Sequence, residues 1–355
     1  MSRSASRFLL VDALKALASQ LIVLHHLAYY GPMSDFASTL APAVFGWLAH
    51  DARFAVQVFL VVGGFLAARS LAPSGQFAAS QGLGELLLQR YLRLVLPLMV
   101  VLVLAILAAA IARQLMNHDA TPGLPTIAQV LAHLFLLQDL VGQEALSAGV
   151  WYVSIDLQLF AMFASLLWLV RAPRGRLGTQ LGPVLVAGFA LLSMFHFNRD
   201  AGWDVAAPYY FAAYALGAFA WWGAQRSRGW WLMALLTASL FALEVDFRGR
   251  LALATSVAAV LMLAQRFPAS VRWLDLRPLA WLSRISYSVF LIHFPICLLV
   301  NALFAAWLPP EPMIQGLGVL LAWFGSVAAG DLFYRFVEVR ARLRPAETVL
   351  TPRAG

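Results

Sequence analysis

Four ionisable residues lie in the first long apolar stretch of the chain, residues 8–30, which is long enough to span a bilayer. They are Asp12, Lys15, His25 and His26. Ionisable side chains in a spanning helix are costly unless they face a partner or a polar cavity, so they indicate function. On an α-helix, Lys15 and His26 lie ~20° apart around the helix axis and ~16 Å apart along it. Asp12 shares their face, whereas His25 is rotated ~100° away from it. We therefore expect the helix 1 stripe, formed by Asp12, Lys15 and His26, to face the protein interior.

Acid–base catalysis is the chemistry that this stripe favours. Imidazole titrates near neutrality, so His26 would act as a general base that takes a proton from an acceptor hydroxyl. Lys15, the only lysine of the chain, would orient or polarise an anionic or carbonyl group. A structural alternative stays open, in which Asp12 and Lys15 pair at i,i+3 and His26 lies at headgroup level.

The composition predicts an all-α polytopic membrane protein. Hydrophobic residues make up 62% of the 355 residues and charged residues 12%, and the mean hydropathy is +0.78, which excludes a soluble globular domain. The N-terminal run has no small-residue cleavage site, so we expect it to remain as a membrane helix. Long apolar runs predict a bundle of about ten transmembrane helices, at residues 8–30, 52–68, 94–115, 150–170, 181–197, 205–223, 230–245, 250–266, 281–306 and 314–336.

The arginines between these runs set the predicted orientation. With both termini cytoplasmic, all but five arginines lie on the cytoplasmic side, as the positive-inside rule requires; the five are Arg53, Arg113, Arg199, Arg248 and Arg250. The net charge of +8 therefore reflects topology and not nucleic-acid binding. We expect residues 1–344 to form one transmembrane domain in a bacterial inner (cytoplasmic) membrane and residues 345–355 a short cytoplasmic tail.

Two further groups of polar residues start the third and fourth predicted spans. Arg90 and Arg93 share one helical face, and they either flank the span as ordinary cytoplasmic arginines or clamp the phosphates of a cytoplasmic donor. Trp151 is an expected interfacial anchor, and Ser147 an expected helix cap. Asp156 lies deeper and either pairs with a buried cation or touches substrate.

The last two spans carry polar residues for which structural roles are favoured. Ser286 and His293 lie two turns apart on one face, but no acid is near them in sequence, so they do not form a convincing nucleophile pair. Tyr287 follows Ser286. Near the end of the last span, Asp331 and Arg335 are spaced i,i+4 and Arg335 and Glu338 are spaced i,i+3, which favours ion pairs that stabilise the helix. The lone Cys297 and the absence of Cys/His clusters predict neither a disulfide nor a metal site.

Six stretches, in this order, resemble motifs of the integral-membrane acyltransferase-3 family. They are Asp12 to His26, Val58 to Phe65, Arg90 to Pro97, Trp151 to Asp156, Ser283 to Ile296 and Arg335 to Glu338. The chain differs from the family pattern at four of these positions: Lys15 replaces an Arg, Gly63 a Ser, Asp156 a Glu, and Phe290 a common Tyr.

This resemblance implies an O-acyltransferase that moves an acyl group, acetyl or succinyl, from cytoplasmic acyl-CoA to a hydroxyl of a cell-envelope carbohydrate or lipid-linked glycan. It places the cation and histidine of helix 1 at the centre of catalysis. The implied partners are acyl-CoA, a carbohydrate or glycolipid acceptor and membrane lipids, with no tightly bound cofactor. Two alternatives remain: a transporter or flippase of a glycan, lipid or acylated product, and a membrane scaffold without activity.

Overall fold

The computed structural model describes residues 3–172, 175–224 and 229–341, so the predicted tail, residues 345–355, lies outside the described residues. Within these ranges all regular elements are helical. The long helices are α1 (Arg3–Tyr29), α2 (Val56–Leu71), α3 (Leu83–Leu115), α4 (Val150–Leu169), α5 (Gly175–Phe195), α6 (Ala207–Gly223), α7 (Gly229–Val245), α8 (Gly249–Arg266), α9 (Arg277–Trp307) and α10 (Pro312–Phe333).

Shorter helical segments connect the long helices. They are the α-helices Met33–Ala37, Pro42–His50, Ile127–Leu134 and Val339–Ala341, the 3-10 helices Ser38–Leu40, Ala52–Ala55, Phe197–Arg199, Ala201–Trp203 and Pro268–Leu274, and the π-helical turn Tyr334–Glu338.

The apolar helices confirm a multi-pass helical membrane protein. In the part of the chain that the structure describes, 7 helices are long and apolar enough to cross a membrane, or 8 if α8 and Pro268–Leu274, which meet at 108°, form one span. α7 is apolar but has only 17 residues. Each of the ten predicted runs coincides with a long helix. That all ten helices cross the membrane, and that both termini are cytoplasmic, stay predictions.

One boundary differs clearly from the sequence-based expectation. α3 begins at Leu83, well before the run predicted at residues 94–115, because the Leu-rich residues after Gly82 are good helix formers.

A short helix, Ile127–Leu134, lies in the connection between α3 and α4. It begins with a capping box, in which Thr126 and Gln129 each bond the other's backbone N–H.

α1 and α9 lie side by side and run in the same direction. The Ser283 hydroxyl donates to Asp12 Oδ1 at 2.7 Å near one end of the contact. His26 and His293 meet toward the other end, with Nδ1 and Nε2 2.7 Å apart. The helix 1 stripe therefore faces α9, inside the bundle, as its periodicity predicts.

α2 and α6 approach closely because glycines lie at their contact. A Cβ at Gly64 would collide with the Tyr214 carbonyl oxygen, and a Cβ at Gly217 would collide with the Val61 carbonyl oxygen. Small residues at helix contacts allow such close packing in membranes. The buried Tyr214 ring then lies beside Gly63, where an added Cβ would be 3.1 Å from Cε2.

Candidate active site

Two cavities lie between the helices that contact the helix 1 stripe. The histidine cavity has a volume of about 390 Å³ and includes His25, His26, Arg53, Asp139, Asp204 and Arg250 in its lining. The cationic cavity has a volume of about 190 Å³ and includes Lys15, Arg90, Arg93, Asp156, Arg284 and Glu338. The stripe therefore borders both cavities, with its lysine in one and His26 in the other.

The buried His26 and His293 rings form a hydrogen-bonded pair whose proton positions follow from their partners. His293 Nδ1 donates to the Phe290 carbonyl oxygen at 2.7 Å, so in a neutral ring Nε2 carries the lone pair. That lone pair accepts the proton of His26 Nδ1 at 2.7 Å. His26 Nε2 is thus left unprotonated and is the ring nitrogen available to a molecule in the histidine cavity.

His25 also lines the histidine cavity, although helical geometry separates it from the stripe. Its Nδ1 donates to the Leu48 carbonyl oxygen at 3.0 Å, and its ring lies 4.8 Å from that of His26, centroid to centroid. In the neutral ring its Nε2 is therefore an acceptor as well. His26 differs from His25 in its hydrogen-bond partner, which is the imidazole of His293 and not a backbone carbonyl oxygen.

The two cavities share two aromatic residues, Tyr152 and Phe290. Their rings meet edge to face with centroids 5.4 Å apart. We call Tyr152 and Phe290 the aromatic partition. Gly149 adjoins it, because a Cβ at Gly149 would lie 3.0 Å from Phe290 Cζ and 3.5 Å from His26 Cε1. A molecule that reaches from one cavity to the other must pass Tyr152 and Phe290.

A partly buried ion pair lines the cationic cavity. Arg90 Nη2 contacts both carboxylate oxygens of Asp156, at 2.8 Å and 2.6 Å, and the guanidinium lies 5.2 Å from the Phe160 ring centroid. Of the two roles considered for Asp156, pairing with a buried cation is the one found. Arg90 Nε is buried without a hydrogen-bond partner among the described residues.

A π-helical turn after α10 places Glu338 in the same cavity. Such turns are rare and frequent at functional sites. Glu338 is 7% exposed and accepts a hydrogen bond from the Ser288 hydroxyl at 2.6 Å. The expected ion pair of this segment forms between Asp331 and Arg335, at 2.6 Å, outside the cavity lining.

Two hydroxyl groups of α9 in this cavity donate to backbone carbonyl oxygens. The Ser286 hydroxyl donates to the Ser283 carbonyl oxygen at 2.8 Å, and the Tyr287 hydroxyl donates to the Leu94 carbonyl oxygen at 3.0 Å. Tyr287 thus joins α9 to α3. The Ser286 hydroxyl in turn joins two neighbouring turns of α9.

The histidine cavity also carries aromatic and acidic groups. Trp151 stacks on Tyr210 with ring centroids 5.7 Å apart. Burial raises the pKa of the Asp139 carboxyl, and the nearby Asp204 raises it further, although a hydrogen bond from Gln138 opposes the shift. The lining of this cavity therefore combines aromatic surface with carboxyl groups.

The start of α4 differs from the expectation. Ser147 is not the cap of this helix; the N-cap is Gly149, which has φ of +81°, and it offers no side-chain acceptor. Glycine adopts positive φ readily because it has no side chain. Gly149 therefore takes the cap position, and the helix begins two residues later than a cap at Ser147 would predict. The loop before it is held by His133, whose Nε2 accepts from the Leu146 N–H at 3.2 Å.

Sequence reasoning missed several lining residues. Arg53 and Arg250 lie at the very start of two apolar runs, where they read as ordinary flanking arginines. Asp139 and Asp204 lie between the runs, where helical spacing carries no signal. In the described ranges, no group of three or more His, Cys, Asp or Glu side chains is arranged to hold a metal ion.

Comparisons with known proteins identify the family of the chain. The family model of the acyltransferase-3 family, described as an acyltransferase domain, matches residues 9–334. Comparisons with curated proteins and with solved structures each gave no significant match. The matched range contains both cavities except for Glu338. The chain therefore belongs to the acyltransferase-3 family of membrane acyltransferases.

Proposed function

We propose that the protein is an O-acyltransferase of a bacterial cytoplasmic membrane. It transfers an acetyl or succinyl group from cytoplasmic acyl-CoA to a hydroxyl of a cell-envelope carbohydrate or lipid-linked glycan. The observation that carries the proposal is the His26–His293 pair, because its hydrogen bonds leave His26 Nε2 as a base beside a cavity large enough for part of a substrate.

In this mechanism His26 is the general base. The acceptor hydroxyl donates to Nε2, which takes the proton as the oxygen attacks the thioester carbonyl carbon. The resulting tetrahedral intermediate collapses, the carbon–sulfur bond breaks, and the protonated imidazole returns its proton to the CoA thiolate. The attack is direct, so no acyl-enzyme forms.

The cationic cavity is the proposed entrance for the donor. Guanidinium groups bind phosphate oxygens in forked, charge-assisted pairs, which suits Arg93 and Arg284, and Lys15 adds a point charge. Arg90 keeps its carboxylate partner through Nη2, and its buried Nε has no partner among the described residues. The acyl end then passes the aromatic partition to reach His26.

The histidine cavity is the proposed acceptor site. Trp151 and Tyr210 present aromatic surface, and Asp139, Asp204 and Arg250 supply polar groups around it. Ligand pockets commonly combine apolar or aromatic walls with a few polar groups that fix orientation. A sugar ring has both kinds of surface, which favours a carbohydrate acceptor here.

The test is turnover of labelled acetyl-CoA and succinyl-CoA by the purified full-length protein. We expect the wild type to hydrolyse or transfer the acyl group, and His26→Ala to lose about 10²- to 10⁴-fold in rate, which is the usual contribution of a positioned base. His196→Ala, which changes an exposed histidine, is the matched control and should keep wild-type rates. Wild-type turnover by His26→Ala would remove the base assignment. A wild-type protein that neither binds nor turns over any acyl-CoA would favour the transporter alternative.

A further inference from the structure

The amino end of α4 opens into the histidine cavity without a cap. Gly149, Trp151 and Tyr152 all line that cavity. The first N–H groups of a helix have no intrahelical acceptors and carry the positive end of the helix dipole. The Tyr152 N–H donates to the Gly149 carbonyl oxygen at 3.0 Å, and Gly149 offers no side-chain acceptor to the N–H groups of Val150 and Trp151. This helix end is therefore able to bind a negatively charged oxygen.

Ser147 supplies an independent observation at the same place. The residue belongs to the lining of the histidine cavity and is only 2% exposed. Its buried hydroxyl has no hydrogen-bond partner among the described residues. Buried polar groups are normally bonded, so an unpaired hydroxyl at a cavity wall indicates a bond that forms only with a ligand.

This helix end lies next to the proposed base. The position of a Cβ at Gly149 would be 3.5 Å from His26 Cε1, the ring carbon bonded to both nitrogens. An acceptor oxygen held by His26 Nε2 therefore attacks its carbonyl carbon close to the end of α4. Lys15 is one possible source of positive charge for that step, but it lies ~16 Å along α1 and lines the other cavity.

We infer that the Ser147 hydroxyl and the first N–H groups of α4 form the oxyanion hole of the reaction. This inference rests on the proposed function. As the acceptor oxygen attacks, the carbonyl π electrons move onto the carbonyl oxygen, and the proton goes to His26 Nε2. Ser147 Oγ–H and the N–H groups of Val150 and Trp151 donate to the oxyanion. When the carbon–oxygen double bond forms again, the carbon–sulfur bond breaks, and the CoA thiolate takes the proton from His26 and leaves as the thiol. Lys15 is then confined to the donor side.

The experiment compares two buried serines in the full-length protein. Ser147→Ala removes the proposed donor, and we expect kcat for acetyl-CoA to fall about a hundredfold while KM stays nearly unchanged, because the contact forms only in the transition state. Ser34→Ala is the matched control. Ser34 is 3% exposed and its hydroxyl is also unpaired among the described residues, but it does not line the cavity, so we expect wild-type kcat.

A second variant covers the case in which Ser147→Ala fails to fold. Ser147→Cys keeps nearly the same volume but offers only a weak donor, so we expect kcat to fall here as well. Wild-type kcat in a folded Ser147→Ala or Ser147→Cys, with His26→Ala inactive, would overturn the oxyanion hole and leave the proposed function standing. Labelled acetyl bound covalently to Ser147 would overturn it too, since the serine would then be a nucleophile. A wild type that turns over no acyl-CoA would remove both proposals.

Discussion

His26 donates its Nδ1 proton to Nε2 of His293, 267 residues later in the chain, across 2.7 Å. The His293 ring is fixed in turn by its bond to the Phe290 carbonyl oxygen. The two imidazoles are nearly parallel, with an interplanar angle of 6° and centroids 4.8 Å apart. A second histidine thus takes the orienting place that a carboxylate takes in a serine protease triad.

His293→Ala is expected to lower kcat about tenfold or more, because His26 loses the partner that fixes its tautomer, although it remains present as a base. His293→Gln restores an acceptor oxygen at this position and is expected to recover part of the rate. The measurement is kcat with acetyl-CoA, together with thermal unfolding in detergent. Equal rates for the Ala variant and the wild type would show that the ring only fills space.

Asp156→Asn is expected to destabilise the protein by about 3 kcal/mol, because the Arg90 charge would be left in a buried site without its partner. The double variant Arg90→Met/Asp156→Leu removes both charges and is expected to return most of that stability, since apolar pairs replace buried ion pairs well. Denaturant midpoints of the three proteins test this. A single variant as stable as the wild type would contradict a structural role for the pair.

The helix 1 stripe was predictable because helical periodicity is local: Asp12, Lys15 and His26 needed only their spacing to be assigned to one interior face. The deep position of Asp156 likewise required a partner or a substrate. The identity of that partner was not predictable, because Arg90 lies 66 residues away on another helix.

The candidate site depends on contacts that carry no local signal. His293 reads as a packing residue in an apolar run, and only the parallel packing of α1 and α9 brings it to His26. Ser147 reads as a helix cap because serine favours that position. Instead, Gly149 is the cap residue, with a left-handed backbone conformation. Ser147 stays in the loop before the helix, in the cavity lining, with its hydroxyl unpaired among the described residues.

Asp139 is expected to make stability depend on pH. Burial raises the pKa of its carboxyl above the unfolded value of about 3.9, so the folded protein binds this proton more tightly. The resulting stabilisation is complete below pH ~3.9 and is lost as the pH rises through the folded pKa. Asp139→Asn removes the charge, so the variant should gain stability relative to the wild type as the pH rises above 4.

Unfolding midpoints of both proteins between pH 4 and pH 8 measure this difference. Asp119→Asn changes an exposed carboxylate and is the matched control. A difference between wild type and Asp139→Asn that stays constant over this range would contradict the assignment.

Gly149→Ala is expected to abolish turnover, because the new Cβ would lie 3.0 Å from Phe290 Cζ and 3.5 Å from His26 Cε1, so the aromatic partition and the base must both shift. The positive φ of +81° adds backbone strain of about 1–2 kcal/mol. Gly142→Ala separates the two effects, since Gly142 also has a positive φ, +66°, but an added Cβ there meets nothing within 4 Å. Both variants should lose similar stability in thermal unfolding, and only Gly149→Ala should lose acetyl-CoA turnover. Equal turnover in the two variants would show that strain alone, and not the crowding of Phe290 and His26, limits substitution at the start of α4.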